Sequence, residues 1–224
     1  MWNIIIGSCG WTLTYLFLLK TINIQSKEAI SRVLAFLHSF IASRCVEMFV
    51  LSYPFQFQEF GQTTGNAETR IIEFSVAYFL FETVYCLYSQ TEDWIMMLHH
   101  FVSLSALTWC LWICSGGYEC CLIIWSAEFT NPVLQARWFL RSWGWQGTLL
   151  GRVNEVLFVV LFFAMRGGFG MVYTYHLYKE NRTEVVLKHF GYVFQLVNFL
   201  FLYQVGRLVL RRVRCSGQDV KKQK

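Results

Sequence analysis

Apolar residues along this chain gather in blocks of roughly 20, the length that crosses ~30 Å of hydrocarbon at ~1.5 Å per residue. Seven such blocks can be traced: Trp2–Leu19, Ile30–Tyr53, Arg70–Gln90, Trp94–Ser115, Tyr118–Leu140, Val153–Tyr175 and Phe190–Leu210. Each predicts a helix, and together they predict an all-α fold, a polytopic membrane bundle of about seven transmembrane helices. The connections are too short to fold by themselves. The chain therefore divides into an N-terminal span and connection over 1–27, a membrane domain over 28–214 and a basic tail over 215–224.

Two blocks need comment. The first is apolar and terminal, as a signal peptide would be, but no basic residue precedes it and no small-x-small cleavage site follows. It reads as a retained span. The fifth contains Pro132, which lacks a backbone donor and clashes with the carbonyl of Glu128, so a kink is expected there. Composition agrees with the pattern. Of 224 residues 55% are hydrophobic and 15% charged, against about a quarter charged in soluble domains.

Charge gives the orientation. Lys20, Lys27, Arg141, Arg152 and the tail's Arg211, Arg212, Arg214, Lys221, Lys222 and Lys224 fall on one side, and only Arg70, Lys179, Arg182 and Lys188 on the other. The positive-inside rule then places the C-terminus in the cytosol. The sequon Asn181-Arg182-Thr183, a candidate glycosylation site at Asn181, falls on the lumenal side. The ending Lys221-Lys222-Gln223-Lys224 resembles a dilysine retrieval signal, which favours the endoplasmic reticulum over the plasma membrane. Cys9, Cys114, Cys120 and Cys121 lie near the lumenal side as disulfide candidates, and Cys215 is a candidate for palmitoylation.

Chemistry enters through polar exceptions inside the spans. An ionisable group in a bilayer costs about 2.5–3.5 kcal/mol even on lenient scales, so each is a functional candidate. Counted at ~1.5 Å per residue, His38, Glu82, His99, His100 and Asn131 fall in one layer of the cytosolic half, with Glu128 deeper. Arg44, Glu47 and Arg166 form a second, deeper group, in which Arg44 and Glu47 are spaced to pair on one helix face as a structural ion pair. Arg166, beside Gly167, Gly168 and Gly170, reads as a site of close helix packing. Gln195, Asn198 and Gln204 read as donors and acceptors between helices. The pair His99-His100 is the sharpest feature, as a candidate base or nucleophile, with Glu82 or Glu128 to set its tautomer. Adjacent histidines on a helix are poor chelators, and no metal is expected.

The run Trp94–Leu98 into His99-His100, a long apolar stretch, then Ser126-Ala127-Glu128-Phe129-Thr130-Asn131-Pro132 with Arg137 and Trp138, resembles the TLC family of TRAM, Lag1 and CLN8-type proteins. The resemblance makes 28–214 the TLC domain. It implies six helices closed around a lipid-accessible cavity, plus one more. Ceramide synthases of this family transfer acyl groups from coenzyme A to sphingoid bases, and their paired histidine matches His99 and His100. Where they carry a further His-Asp, this chain has Ser126-Ala127, with Glu128 beside it.

Two functions follow. One is a lipid-homeostasis protein that binds or senses acyl lipid in a central cavity, with membrane lipids as its partners and no cofactor. The other is an acyltransferase using His99 or His100, with acyl-coenzyme A as substrate. A receptor is disfavoured by the short loops, a transporter by the lack of an internal repeat, and nothing points to nucleic acid.

Overall fold

The computed structural model describes residues 2–21, 26–51, 55–90 and 92–222, with side chains up to Arg211. The lysine side chains of the dilysine ending and the thiol of Cys215 lie outside the described residues. Nine α-helices are present among the described residues: α1 (Trp2–Thr21), α2 (Lys27–Phe49), α3 (Asn66–Ser89), α4 (Trp94–Ile113), α5 (Gly117–Glu128), α6 (Asn131–Ser142), α7 (Leu149–Phe162), α8 (Gly170–Lys179) and α9 (Val185–Lys222). A π-helical segment, Phe163–Phe169, joins α7 to α8 without interruption. Six helical stretches are long and apolar enough to cross a membrane.

The expected fifth span is the exception. It is split into α5 and α6, each of 12 residues and so about 18 Å long. The break falls at Phe129-Thr130, just ahead of Pro132 in the first turn of α6, where the proline ring excludes a continuous helix. Both halves pack against α2 and barely touch each other, so they lie end to end along it.

The two halves also differ in surroundings. Eleven of the twelve α5 residues are buried, which makes it the central helix, with its two carboxylates, Glu119 and Glu128, at opposite ends. Only Gln135 and Leu140 are buried on α6. Around α5 the other helices turn large apolar side chains outward, among them Phe17, Met48, Trp112, Val156, Leu196 and Tyr203. Such a belt is stable only against lipid. The protein is a multi-pass integral membrane protein.

Helix ends are set locally. Ser26 accepts from Ala29 N and Asp93 from Met96 N (2.9 Å), while Thr148 accepts from Gly151 N (3.2 Å), each capping an N-terminus. Gln90 and Cys114 take left-handed backbone conformations that stop α3 and α4. Helix α1 docks on α3 through Trp11, edge-on to Tyr78 (5.2 Å between centroids), and through Tyr15 against Phe81.

One end of the bundle is closed by loops meeting at Glu119, a fully buried carboxylate in the first turn of α5. Its Oε1 accepts from Gly61 N (2.6 Å) and from Thr183 Oγ1 (2.9 Å). In the loop leading to α9, Arg182 donates to both carboxylate oxygens of Glu180, and this holds the Glu180 carboxyl down at about 2. Burial pushes the neighbouring Glu184 carboxyl up, but backbone N–H groups of Val186 and Leu187 and the indole of Trp109 more than offset it and keep it below the usual range. The four disulfide candidates Cys9, Cys114, Cys120 and Cys121 are all free thiols, the first two exposed and the last two buried. Adjacent Cys120 and Cys121 point ~100° apart on α5 and cannot share a partner.

The docking of α1 has a direct test. A Cβ on Gly7 would lie 2.8 Å from Ala77 Cβ, whereas nothing lies within 4 Å of one on Gly10. Gly7→Val should destabilise the protein by about 1–3 kcal/mol and Gly10→Val by less than about 0.5 kcal/mol, as read from thermal unfolding in detergent.

Candidate functional site

The end opposite Glu119 opens into a chamber of about 300 Å³, at the lower edge of the range for small-molecule sites. Asp93 caps α4 there and also accepts from Gln204 Nε2 on α9 (2.9 Å). Arg32 on α2 pairs with Glu92 (2.8 Å), and Arg137 on α6 with Glu155 on α7 (3.1 Å). These pairs frame the mouth. Further in, the wall carries Glu82, His99, His100, Glu128, Asn131 and Arg166. The sequence-derived layer is thus assembled, except that His38 stands behind the wall and Arg166 joins it.

Each member is held by its own neighbours. Thr83 Oγ1 donates its one proton to Phe79 O (2.6 Å) and lies 3.3 Å from His100 Nδ1. With that proton committed, His100 Nδ1 must be the donor, and Nε2 keeps the lone pair. A threonine, not Glu82 or Glu128, therefore sets the tautomer. His99 lies among Phe79, Phe194 and Phe201, and its buried Nδ1 has no hydrogen-bond partner among the described residues. Glu128 ends α5 at the break, where its Oε2 accepts from Asn131 Nδ2 (3.2 Å) and lies 3.7 Å from His38 Nδ1. His38 is fully buried and stacked on Tyr78, with centroids 4.0 Å apart.

Arg166 corrects the expected second group. Arg44 and Glu47 do pair, at 2.6 Å, and Glu47 also accepts from Trp125 Nε1 (2.8 Å). Arg166 is elsewhere, inside the π-helical segment, where it donates from Nη1 to Asn198 Oδ1 (2.8 Å) and from Nη2 to Ala127 O (3.3 Å). Gln195 Nε2 holds its carbonyl (3.1 Å). The expected close packing is found at Gly170, where a Cβ would meet Gln195 Oε1 at 2.5 Å, but Gly168 has nothing within 4 Å. Gln195, Asn198 and Gln204 all bond between helices.

Beside the chamber a second, narrower slot of about 40 Å³ lies between α4, α5 and α9, sharing Phe79, His99 and Glu128 with it. Ala106, Leu107, Ile123 and Phe194 make its walls apolar. The arrangement is a polar chamber adjoined by a hydrocarbon-lined slot, with two histidines, a carboxylate and a guanidinium at or near the shared wall.

Residues 61–210, about two-thirds of the chain, match the family model described as TLC domain, TRAM_LAG1_CLN8. The chain belongs to the TLC domain family. The TLC match starts in the loop before α3 and runs into α9, so every chamber residue named above except Arg32 lies inside it. The TLC domain is associated with membrane lipid metabolism and sensing, including in ceramide-synthase-like members.

Sequence reasoning overlooked Thr83, which carries no signal of its own, and Glu119, a carboxylate one residue into the fifth apolar block. Asn181 is exposed, but Thr183 is buried and its hydroxyl is given to Glu119, so in the folded TLC protein the sequon's hydroxyl is already committed.

The tautomer assignment is testable. Thr83→Val leaves the buried His100 Nδ1–H without an acceptor and should cost about 1–3 kcal/mol. Thr83→Ser should cost well under half of that, with both compared by thermal unfolding.

Proposed function

We propose that this protein binds an acyl lipid with its head in the chamber and the first methylenes of its chain in the slot, and through that occupancy influences membrane lipid composition. The observation that carries this is the adjacency of a polar, ion-lined chamber and an apolar slot, with Phe79, His99 and Glu128 lining both. An amphiphile is the ligand class that satisfies both environments at once. The distribution of Lys and Arg supports a cytosolic C-terminus and, with it, a chamber in the cytosolic half of the membrane. The stretch Glu128–Leu140, the size and the span pattern resemble TLC domain-containing protein 5, also called transmembrane protein 136.

A second reading is acyl transfer from acyl-coenzyme A with His100 as base or nucleophile. It is favoured by the Nε2 lone pair that Thr83 enforces, since a neutral imidazole nitrogen is what such chemistry uses. Against it stand Ser126-Ala127 in place of the second motif, and a chamber whose carboxylates outnumber its guanidiniums, a poor fit to coenzyme phosphates.

Untargeted lipidomics of cells expressing the protein or its variants separates these. Wild type should shift acyl-lipid composition, and Ala106→Phe, which fills the slot, should abolish the shift at equal protein abundance. A shift that survives Ala106→Phe contradicts lipid binding in the slot. His100→Ala should leave the shift intact if the protein binds or senses lipid. Its loss at equal abundance would establish the acyl-transfer reading instead.

A further inference from the structure

Arg166 is the one guanidinium lining the chamber without a carboxylate within ion-pair distance among the described residues. It is 9% exposed, at the depth where a cation is least tolerated. Its two hydrogen-bond acceptors, Asn198 Oδ1 and the carbonyl of Ala127, are both neutral, and its Nε has no hydrogen-bond partner. Glu128, the nearest acidic candidate, is already bonded to Asn131 and faces His38. A guanidinium has five N–H donors, and here only two are spent.

The surroundings are built to keep it so. The π-helical turn displaces Arg166 from an ordinary α-helical register, a feature that recurs at functional sites. Its carbonyl is caught by Gln195, whose approach requires the missing Cβ at Gly170. Asn198 then fixes Nη1. The guanidinium sits over the rings of Phe162 and Phe194 (5.6 and 6.0 Å). Phe194 and Ala127 are also slot walls, so Arg166 stands where chamber and slot adjoin.

We infer that Arg166 is the seat for the oxygen atoms at the head of an acyl chain, a carboxylate or an ester carbonyl, whose hydrocarbon then enters the slot past Phe194. A guanidinium presents an Nε–Nη edge that pairs with a carboxylate through two parallel bonds and with a carbonyl through one. Gln195, Asn198 and Gly170 are positioning residues that act through Arg166. This inference rests on the lipid-binding reading and adds to it the group that recognises the head.

The test uses the full chain in detergent, titrated with palmitate or methyl palmitate and read by native mass spectrometry. Asn198→Asp is the central variant. It is isosteric, keeps the buried cation, and supplies an internal carboxylate that occupies Nη1. It should hold or raise thermal stability and weaken palmitate binding at least about tenfold. Arg166→Gln should weaken it similarly. Methyl palmitate distinguishes the source of the oxygen. If wild type prefers the acid and the variants erase that preference, the seat is for a free carboxylate. If both ligands bind alike and both are lost in the variants, it is for an ester carbonyl. Palmitate binding unchanged in Asn198→Asp and Arg166→Gln but lost in Ala106→Phe overturns the seat and leaves the slot standing. Binding unchanged in all three overturns both.

Discussion

A chain that carries His38, Glu82, His99, His100, Glu128 and Arg166 through hydrocarbon can only fold by turning them toward one another. No arrangement facing lipid would be tolerated, because each exposed charge would cost several kcal/mol. That constraint explains why α5 lies at the centre with almost every residue covered and why the belt outside is so uniformly apolar. It also explains why the polar groups end up sharing a chamber. Apolar length decides that the chain inserts; the polar exceptions decide how the helices are arranged around α5.

The break at Pro132 is where the two demands meet. Glu128 and Asn131 are three residues apart and meet across the break, and splitting the helix there frees α6 to present Gln135 and Arg137 to the chamber. The π-helical segment, which packs against α5, does the corresponding job for Arg166. Two irregular backbone segments thus aim the charged groups that regular helices would have pointed elsewhere. Irregular backbone at membrane depth is tolerated where protein or a cavity surrounds it, and both segments meet that condition.

Much of this was legible in the sequence. Block length gave the helices, the proline gave the break, and residue counting along each span gave the shared layer of His99, His100, Glu82 and Asn131. Spacing also paired Arg44 with Glu47. What could not be read was azimuth. Depth along a helix follows from ~1.5 Å per residue, but the direction a side chain takes depends on local winding. Counting puts Arg166 at the depth of Arg44 and Glu47, but a count that assumes 3.6 residues per turn does not show the π-helical turn that aims it at Asn198 and Ala127. Thr83 and Glu119 were missed for a related reason. Each matters only through a partner from a distant part of the chain, His100 in one case and Gly61 with Thr183 in the other.

The central claim is that the chamber and slot together hold one amphiphile. An electron cryomicroscopy map of the protein in lipid nanodiscs tests it most directly. The account predicts elongated density running from beside His99 and Arg166 into the slot past Phe194, with its bulkier end in the chamber. A chamber holding only separate water-sized features, with lipid density confined to the outer faces of the bundle, would contradict it.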